Sequence, residues 1–204
     1  MNRSSVLAAA TLAAALTLAG CGSSDHGHDM GSMGSPSSAT APAGPTGASP
    51  AAGPHDDADV TFAQMTVPHH RQAVEMADML LAKQGIDADV TALATRIRAA
   101  QVPEIDQMTG WLTRWGQDAS PMSMDHDMGG LMSQDAMDAL DRASGDEAAR
   151  LFLSGMVKHH QGAIDMADDE LAGGQNADAK KLARSIKDSQ QAEIATMTTL
   201  LKRY

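Results

Sequence analysis

Two short stretches of the chain, MTVPHH at 65–70 and MVKHH at 156–160, each place adjacent histidines about one helical turn after a methionine. Imidazole nitrogen binds copper, zinc, iron or nickel, and thioether sulfur is a soft donor that prefers Cu(I). The chain has a single cysteine, Cys21, so no thiolate cluster competes with this set. Methionine with histidine and without cysteine points to copper; zinc more often takes thiolates or three nitrogen and oxygen donors. Methionine is also abundant, at 15 of 204 residues, although it is not among the common residues of soluble chains.

The two stretches belong to an internal repeat. Phe62, His69, His70, Ala73, Val74, Met76, Ala77 and Asp78 correspond, at an offset of 90, to Phe152, His159, His160, Ala163, Ile164, Met166, Ala167 and Asp168. After a one-residue deletion, Leu93, Ile97, Gln101, Glu104, Ile105 and Met108 correspond to Leu182, Ile186, Gln190, Glu193, Ile194 and Met197. On a helix His69 and Met76 share a face, with Met65 one turn before His69; Met156 with His160, and Met166 with His159, repeat this. Adjacent histidines point about 100° apart. At most one of each pair therefore aims straight into the seam of its own hairpin, and the other faces a neighbouring helix or solvent.

Hairpin arithmetic brings in the return helices. A turn near residue 86 sets His69 and His70 level with Gln101 to Glu104, and one near 174 sets His159 and His160 level with Gln190 and Met156 level with Glu193. The candidate metal set is thus His69, His70, Met65, Met76, Glu104 and Met108 in the first half, and His159, His160, Met156, Met166, Glu193 and Met197 in the second. Glu104 and Glu193 read either as ligands or as groups that orient an imidazole. Taken singly, Met76, Met79, Met108, Met166 and Met197 read equally as core filler.

The elements that must position these residues are helices. Aromatic residues are 2% of the chain, so the core is built from Leu, Ile, Val, Ala and Met, which suits close-packed helices better than strands. Apolar spacing predicts a first helix over 58–84, ending at Gly85 and kinked or divided by Pro68. A second runs from an Asp87 cap to Trp115 and stops at Gly116, with a bend at Pro103 and Leu93, Ile97, Ile105, Met108 and Leu112 facing inward. The connection 117–145 carries one short helix over 131–142. A third long helix over 146–171 and a fourth over 177–202 complete the pattern. Each hairpin, about 58–116 and about 146–204, is too thin to bury its apolar stripe alone, so the expectation is an all-α four-helix bundle over 56–204.

Residues 1–20 read as a secretory leader: Arg3 precedes an apolar run from Val6 to Leu18, too short for the roughly 20 residues of a membrane-spanning helix. Leu18-Ala19-Gly20-Cys21 resembles a bacterial lipoprotein processing site, which makes Cys21 the expected lipidation site and places the protein outside the cytoplasm, anchored to the membrane by lipid alone. Residues 21–55 have the Gly, Ser, Pro and Ala composition of a disordered tether. DHGHDMGSM at 25–33, and MSMDHDMGG at 122–130 in the connection, concentrate Met, His and Asp where no core requires them. Such tracts are suited to capturing a soft ion. The net charge of −11 becomes −12 without the leader, which argues against nucleic acid as a partner and makes a cation the natural guest.

FAQMTVPHHRQAVEMAD, FLSGMVKHHQGAIDMAD, QVPEIDQM and QQAEIATM together resemble the bacterial family named for domain of unknown function 305, over about Asp56 to Tyr204. The resemblance implies a ferritin-like four-helix bundle, and some members are described as periplasmic copper-binding proteins linked to copper resistance. Its motif carries over to His69, His70, Met76, His159, His160 and Met166. The leading expectation is a non-enzymatic extracytoplasmic lipoprotein that binds copper, as Cu(I), as a buffer, carrier or resistance protein, exchanging it with a protein partner. Other transition metals are the alternative cargo. A ferritin-like di-metal oxidase is the enzyme alternative, but neither repeat contains the Glu-x-x-His element such sites use. The third reading is a metal-independent helical interaction module with its histidines in the core.

Overall fold

The computed structural model describes residues 53–118 and 129–204. The leader, Cys21, DHGHDMGSM and most of MSMDHDMGG lie outside the described residues. Five α-helices and no strand occur among those described: α1 (Asp57–Leu81), α2 (Ala88–Arg114), α3 (Gln134–Arg142), α4 (Gly145–Gly173) and α5 (Ala177–Leu200). A single 3₁₀ turn, Leu201–Arg203, follows α5. The all-α expectation holds. Among the described residues no helix is long and apolar enough to cross a membrane.

Side-chain caps set the helix starts. Asp56 accepts from the amides of Ala58 and Asp59 while Asp59 accepts from the Asp56 amide, a reciprocal box that satisfies orphan donors of the first turn. Asp87, Ser133 and Asn176 cap α2, α3 and α5 more simply, each side chain accepting from one or two first-turn amides without the reciprocal bond. Gly116 closes α2 with positive φ, whereas α1 ends at Leu81, three residues short of the expected 84, and Gly85 takes its positive φ in the turn that follows. The connecting helix begins at Gln134, three residues later than expected, because the Ser133 hydroxyl caps it there.

The expected division at Pro68 does not occur. Pro68 and Pro103 both sit inside uninterrupted helices. The missing amide costs one backbone bond, but residues on both sides of Pro68 pack into the core and hold the helix in register.

α1 packs along α2 and α4 along α5, giving two hairpins joined through α1 and α4, whereas α2 and α5 scarcely touch. α3 lies against α1 and α4. The apolar core falls into two clusters. One gathers Ala73 to Leu80 of α1, Val90 to Ile97 of α2, Ala148 to Met156 of α4, and Met197 and Leu200 of α5. The other gathers Phe62 to Val67, Met108 to Trp115, Ala163 to Ala167 and Ala179 to Ile186. α1 and α4 therefore run antiparallel, and both clusters stop short of the same level, where His69, His70, Gln101, His159, His160 and Gln190 are buried.

Candidate metal centre

That level is a polar layer inside an apolar bundle. All four histidines have no solvent exposure, and Gln101 and Gln190 are buried with them. The inner pair, His69 of α1 and His159 of α4, meet across the two hairpins with ring centroids 3.7 Å apart. They are equivalent residues of the repeat, so the hairpins are related by an approximate two-fold axis passing between them. The outer pair each turn into their own hairpin: His70 Nε2 lies 2.9 Å from Glu104 Oε2, and His160 Nε2 lies 2.7 Å from Glu193 Oε2. One histidine of each pair thus faces its own seam and the other the neighbouring helix, as adjacent positions on a helix require.

The acceptors decide which nitrogen carries the proton. A carbonyl or an ionised carboxylate only accepts, so His70 and His160 donate from Nε2 to the glutamates, and His69 donates from Nε2 to the Gly129 carbonyl oxygen at 3.2 Å. Among the described residues the buried Nδ1 atoms of His69, His70 and His160 have no partner, and His159 has none at either nitrogen. An unsatisfied buried polar atom costs about 1–3 kcal/mol. Several gathered at one level form an arrangement that packing alone does not reward. Burial, with neighbouring His70 and His160, pulls the His69 pKa down to about 3, and burial with the surrounding imidazoles takes His159 well below the ordinary histidine value. Both rings are neutral at neutral pH, the state that ligates metals.

Gly129 reaches His69 because its loop lies directly on the α4 backbone. A side chain at Gly162 would collide with the Gly129 carbonyl, and one at Gly130 with the Lys158 carbonyl. Sequence reasoning missed this contact. Its signal was a glycine inside an otherwise regular helical run, at the repeat position that Gln72 holds in α1.

The methionines are distributed by end. Met65, Met108 and Met166 belong to or pack on one apolar cluster, and Met76, Met156 and Met197 belong to the other. Met65 is half-buried; the remaining five are buried. They flank the imidazole layer from both sides. Among the described residues no three His, Cys, Asp or Glu side chains converge closely enough to hold an ion by themselves. The donors this level would offer a metal are imidazole and thioether, with Glu104 and Glu193 hydrogen-bonded to the outer rings. The residues present fit a soft transition-metal ion.

Beyond this layer, Asp59 at the start of α1 is fully buried and accepts from the backbone amides of Gln175 and Asn176, tying α1 to the turn between α4 and α5. The Glu170 carboxyl is buried beside it, and burial followed by the Asp59 carboxylate raises its pKa to about 8. Protonated, Glu170 can donate to Asp59. Burial opposes ionisation of Asp59 as well, but the backbone amides outweigh it and hold Asp59 below the usual carboxylate range.

The family model for DUF305, a domain of unknown function, matches residues 59–201. The crystal structure of a DUF305 protein from Streptomyces coelicolor is 32% identical, with 72% of this chain and 93% of that chain covered and a TM-score of 0.67. A DUF305 fragment from Deinococcus radiodurans is 34% identical, covering 74% of this chain and 100% of its own, with a TM-score of 0.67. CopM in its Cu(I)-bound form is 31% identical over 71% of this chain and 96% of that one, with a TM-score of 0.60. No curated protein matches the chain. Its helical hairpins, its paired histidines and the extent of the family match make the chain a member of the DUF305 family.

Proposed function

We propose that this protein is an extracytoplasmic metal-binding lipoprotein whose cargo is copper, taken as Cu(I), and that it serves as a buffer, carrier or resistance protein rather than an enzyme. The observation that carries the reading is the layer of four buried imidazoles with nitrogens that have no partner among the described residues, flanked on both sides by thioethers and free of thiolates. Neutral nitrogen and sulfur donors match a soft monovalent ion better than a hard divalent one. The related CopM, solved in Cu(I)-bound, Cu(II)-bound and silver-bound forms, supports metal binding by this fold. The ligands on this reading are drawn from His69, His70, His159 and His160 with Met65, Met76, Met108, Met156, Met166 and Met197, while Glu104 and Glu193 orient His70 and His160. The leader and Cys21 support lipid anchoring outside the cytoplasm, where a metal-exchange protein partner would meet the bundle.

The test is a Cu(I) competition titration against a colorimetric chelator on the full chain and on a variant with His69, His70, His159 and His160 replaced by alanine. Tight binding by the parent and its loss in the variant, with helical content by circular dichroism retained, is the expected result. A helical variant that keeps the full affinity would overturn the assignment.

A further inference from the structure

The approximate two-fold axis makes a demand that the repeat does not meet in sequence. On one side of the imidazole layer Met65 of α1 and Met166 of α4 line a common cavity of about 280 Å³, together with Phe62, Thr61 and Glu170. The repeat offset of 90 carries Met166 onto Met76, but carries Met65 onto Gly155, which has no side chain. The structure fills that position from elsewhere. A Cβ built on Gly155 would stand 2.6 Å from Met132 Sδ and 3.3 Å from Met76 Cε. The thioether of Met132, from the segment between α2 and α3, therefore occupies the space that a side chain at 155 would take, beside Met76.

Met132 is held there by design of the surrounding chain. Gln72 Nε2 donates to the Met132 backbone carbonyl at 3.0 Å, and the Met132 backbone amide donates to Gln72 Oε1 at 2.8 Å. This pair of hydrogen bonds fixes the backbone of one loop residue to α1, one turn before Met76. Met132 and Gly155 both line a larger cavity of about 690 Å³ that also includes Lys158 and Gln161, so the sulfur borders open volume rather than solid core.

We infer that Met132 and Met76 form a thioether site for a soft monovalent cation, the counterpart across the two-fold axis of a site formed by Met65 and Met166. This rests on the metal-binding reading above and adds to it a ligand outside both repeats. The bundle thereby carries one sulfur pair on each side of its imidazole layer, although only one of the two is written in the repeated helices. Gly155 is the position that made room for the substitution, and Gln72 is the residue that positions it.

The test uses Ag(I), a redox-inert soft monovalent probe, and native mass spectrometry of the full chain with Met132→Leu, Met65→Leu and Gly155→Ala variants. Leucine keeps the volume and removes the sulfur. The expected result is one fewer Ag(I) ion for Met132→Leu than for the parent, one fewer for Met65→Leu, and two fewer for the double variant. Gly155→Ala, whose Cβ would displace the Met132 sulfur, should also lose one. As a second readout, bound Ag(I) should shield Met132 from peroxide oxidation, measured by peptide mapping. A parent that binds silver while Met132→Leu binds the same number, with Met132 oxidised at an unchanged rate, overturns the site and leaves the metal-binding reading standing. A parent that binds no silver removes both.

Discussion

At the scale of single residues, the informative feature is what the histidines do with their second nitrogen. His70 and His160 each spend one N–H on a glutamate of the return helix, at 2.9 and 2.7 Å, which fixes the ring, while Nδ1 has no partner among the described residues. A carboxylate in that position raises the basicity of the imidazole and orients it toward an ion. Glu104→Ala is expected to weaken Cu(I) binding by roughly 10–100-fold, with Glu104→Gln, which can still accept from Nε2, losing less. Glu104 is largely covered yet at the edge of the bundle, its side chain 17% exposed, so the alanine variant should melt within a few degrees of the parent. Competition titration beside thermal melts checks both; variants that titrate like the parent would remove Glu104 from the site. That Glu104 lies level with His69 and His70, and Glu193 within about a turn of His160, was legible in the sequence because each pair lies on helices joined by a short turn; which histidine of each pair meets its glutamate was not. The Gly129 carbonyl was not, because a loop has no period from which to read a level.

At the scale of elements, the crossing of α1 and α4 does what neither hairpin does alone. It brings His69 against His159 and seats the loop around Gly129 on the α4 backbone. Gly162 is the residue that permits that seat. Gly162→Ala should push the loop away, cost about 1–3 kcal/mol as an overpacked contact, and speed amide exchange across residues 129–133. Hydrogen exchange read by mass spectrometry tests this directly, and unchanged protection of the loop would contradict the packing argument. Pro68 and Pro103 read from sequence as interruptions, and the helices pass through both. Local propensity weighed against them, while the burial of residues on either side favoured continuity, and tertiary packing decided the outcome.

At the scale of the whole molecule, two apolar clusters enclose a polar layer, and a buried carboxyl pair closes one end. Glu170 has its folded-state pKa raised to about 8 from an unfolded value of 4.5. Its contribution to stability is complete below pH 4.5 and is lost as pH rises through 8, since the folded state holds a proton that the unfolded state gives up. Glu170→Gln should therefore flatten the fall in melting temperature between pH 5 and pH 9 and melt a few degrees above the parent at the alkaline end. A variant whose melting temperature follows the parent's pH dependence would show that Glu170 is ionised in the folded bundle. The amino-acid sequence by itself determined the all-α class, the two-hairpin repeat, the Asp87 cap and the approach of the two glutamates to within about a turn of the paired histidines. Those properties are periodic or local, and helical spacing and short turns convert residue numbers into faces and levels. Only the tertiary structure decided that His69 meets His159, that the methionines divide between two clusters, that Asp59 and Glu170 share one buried end, and that Met132 takes the place left empty at Gly155. Each of these depends on which faces of separate hairpins and loops come together, and that is set by the packing of segments distant in sequence.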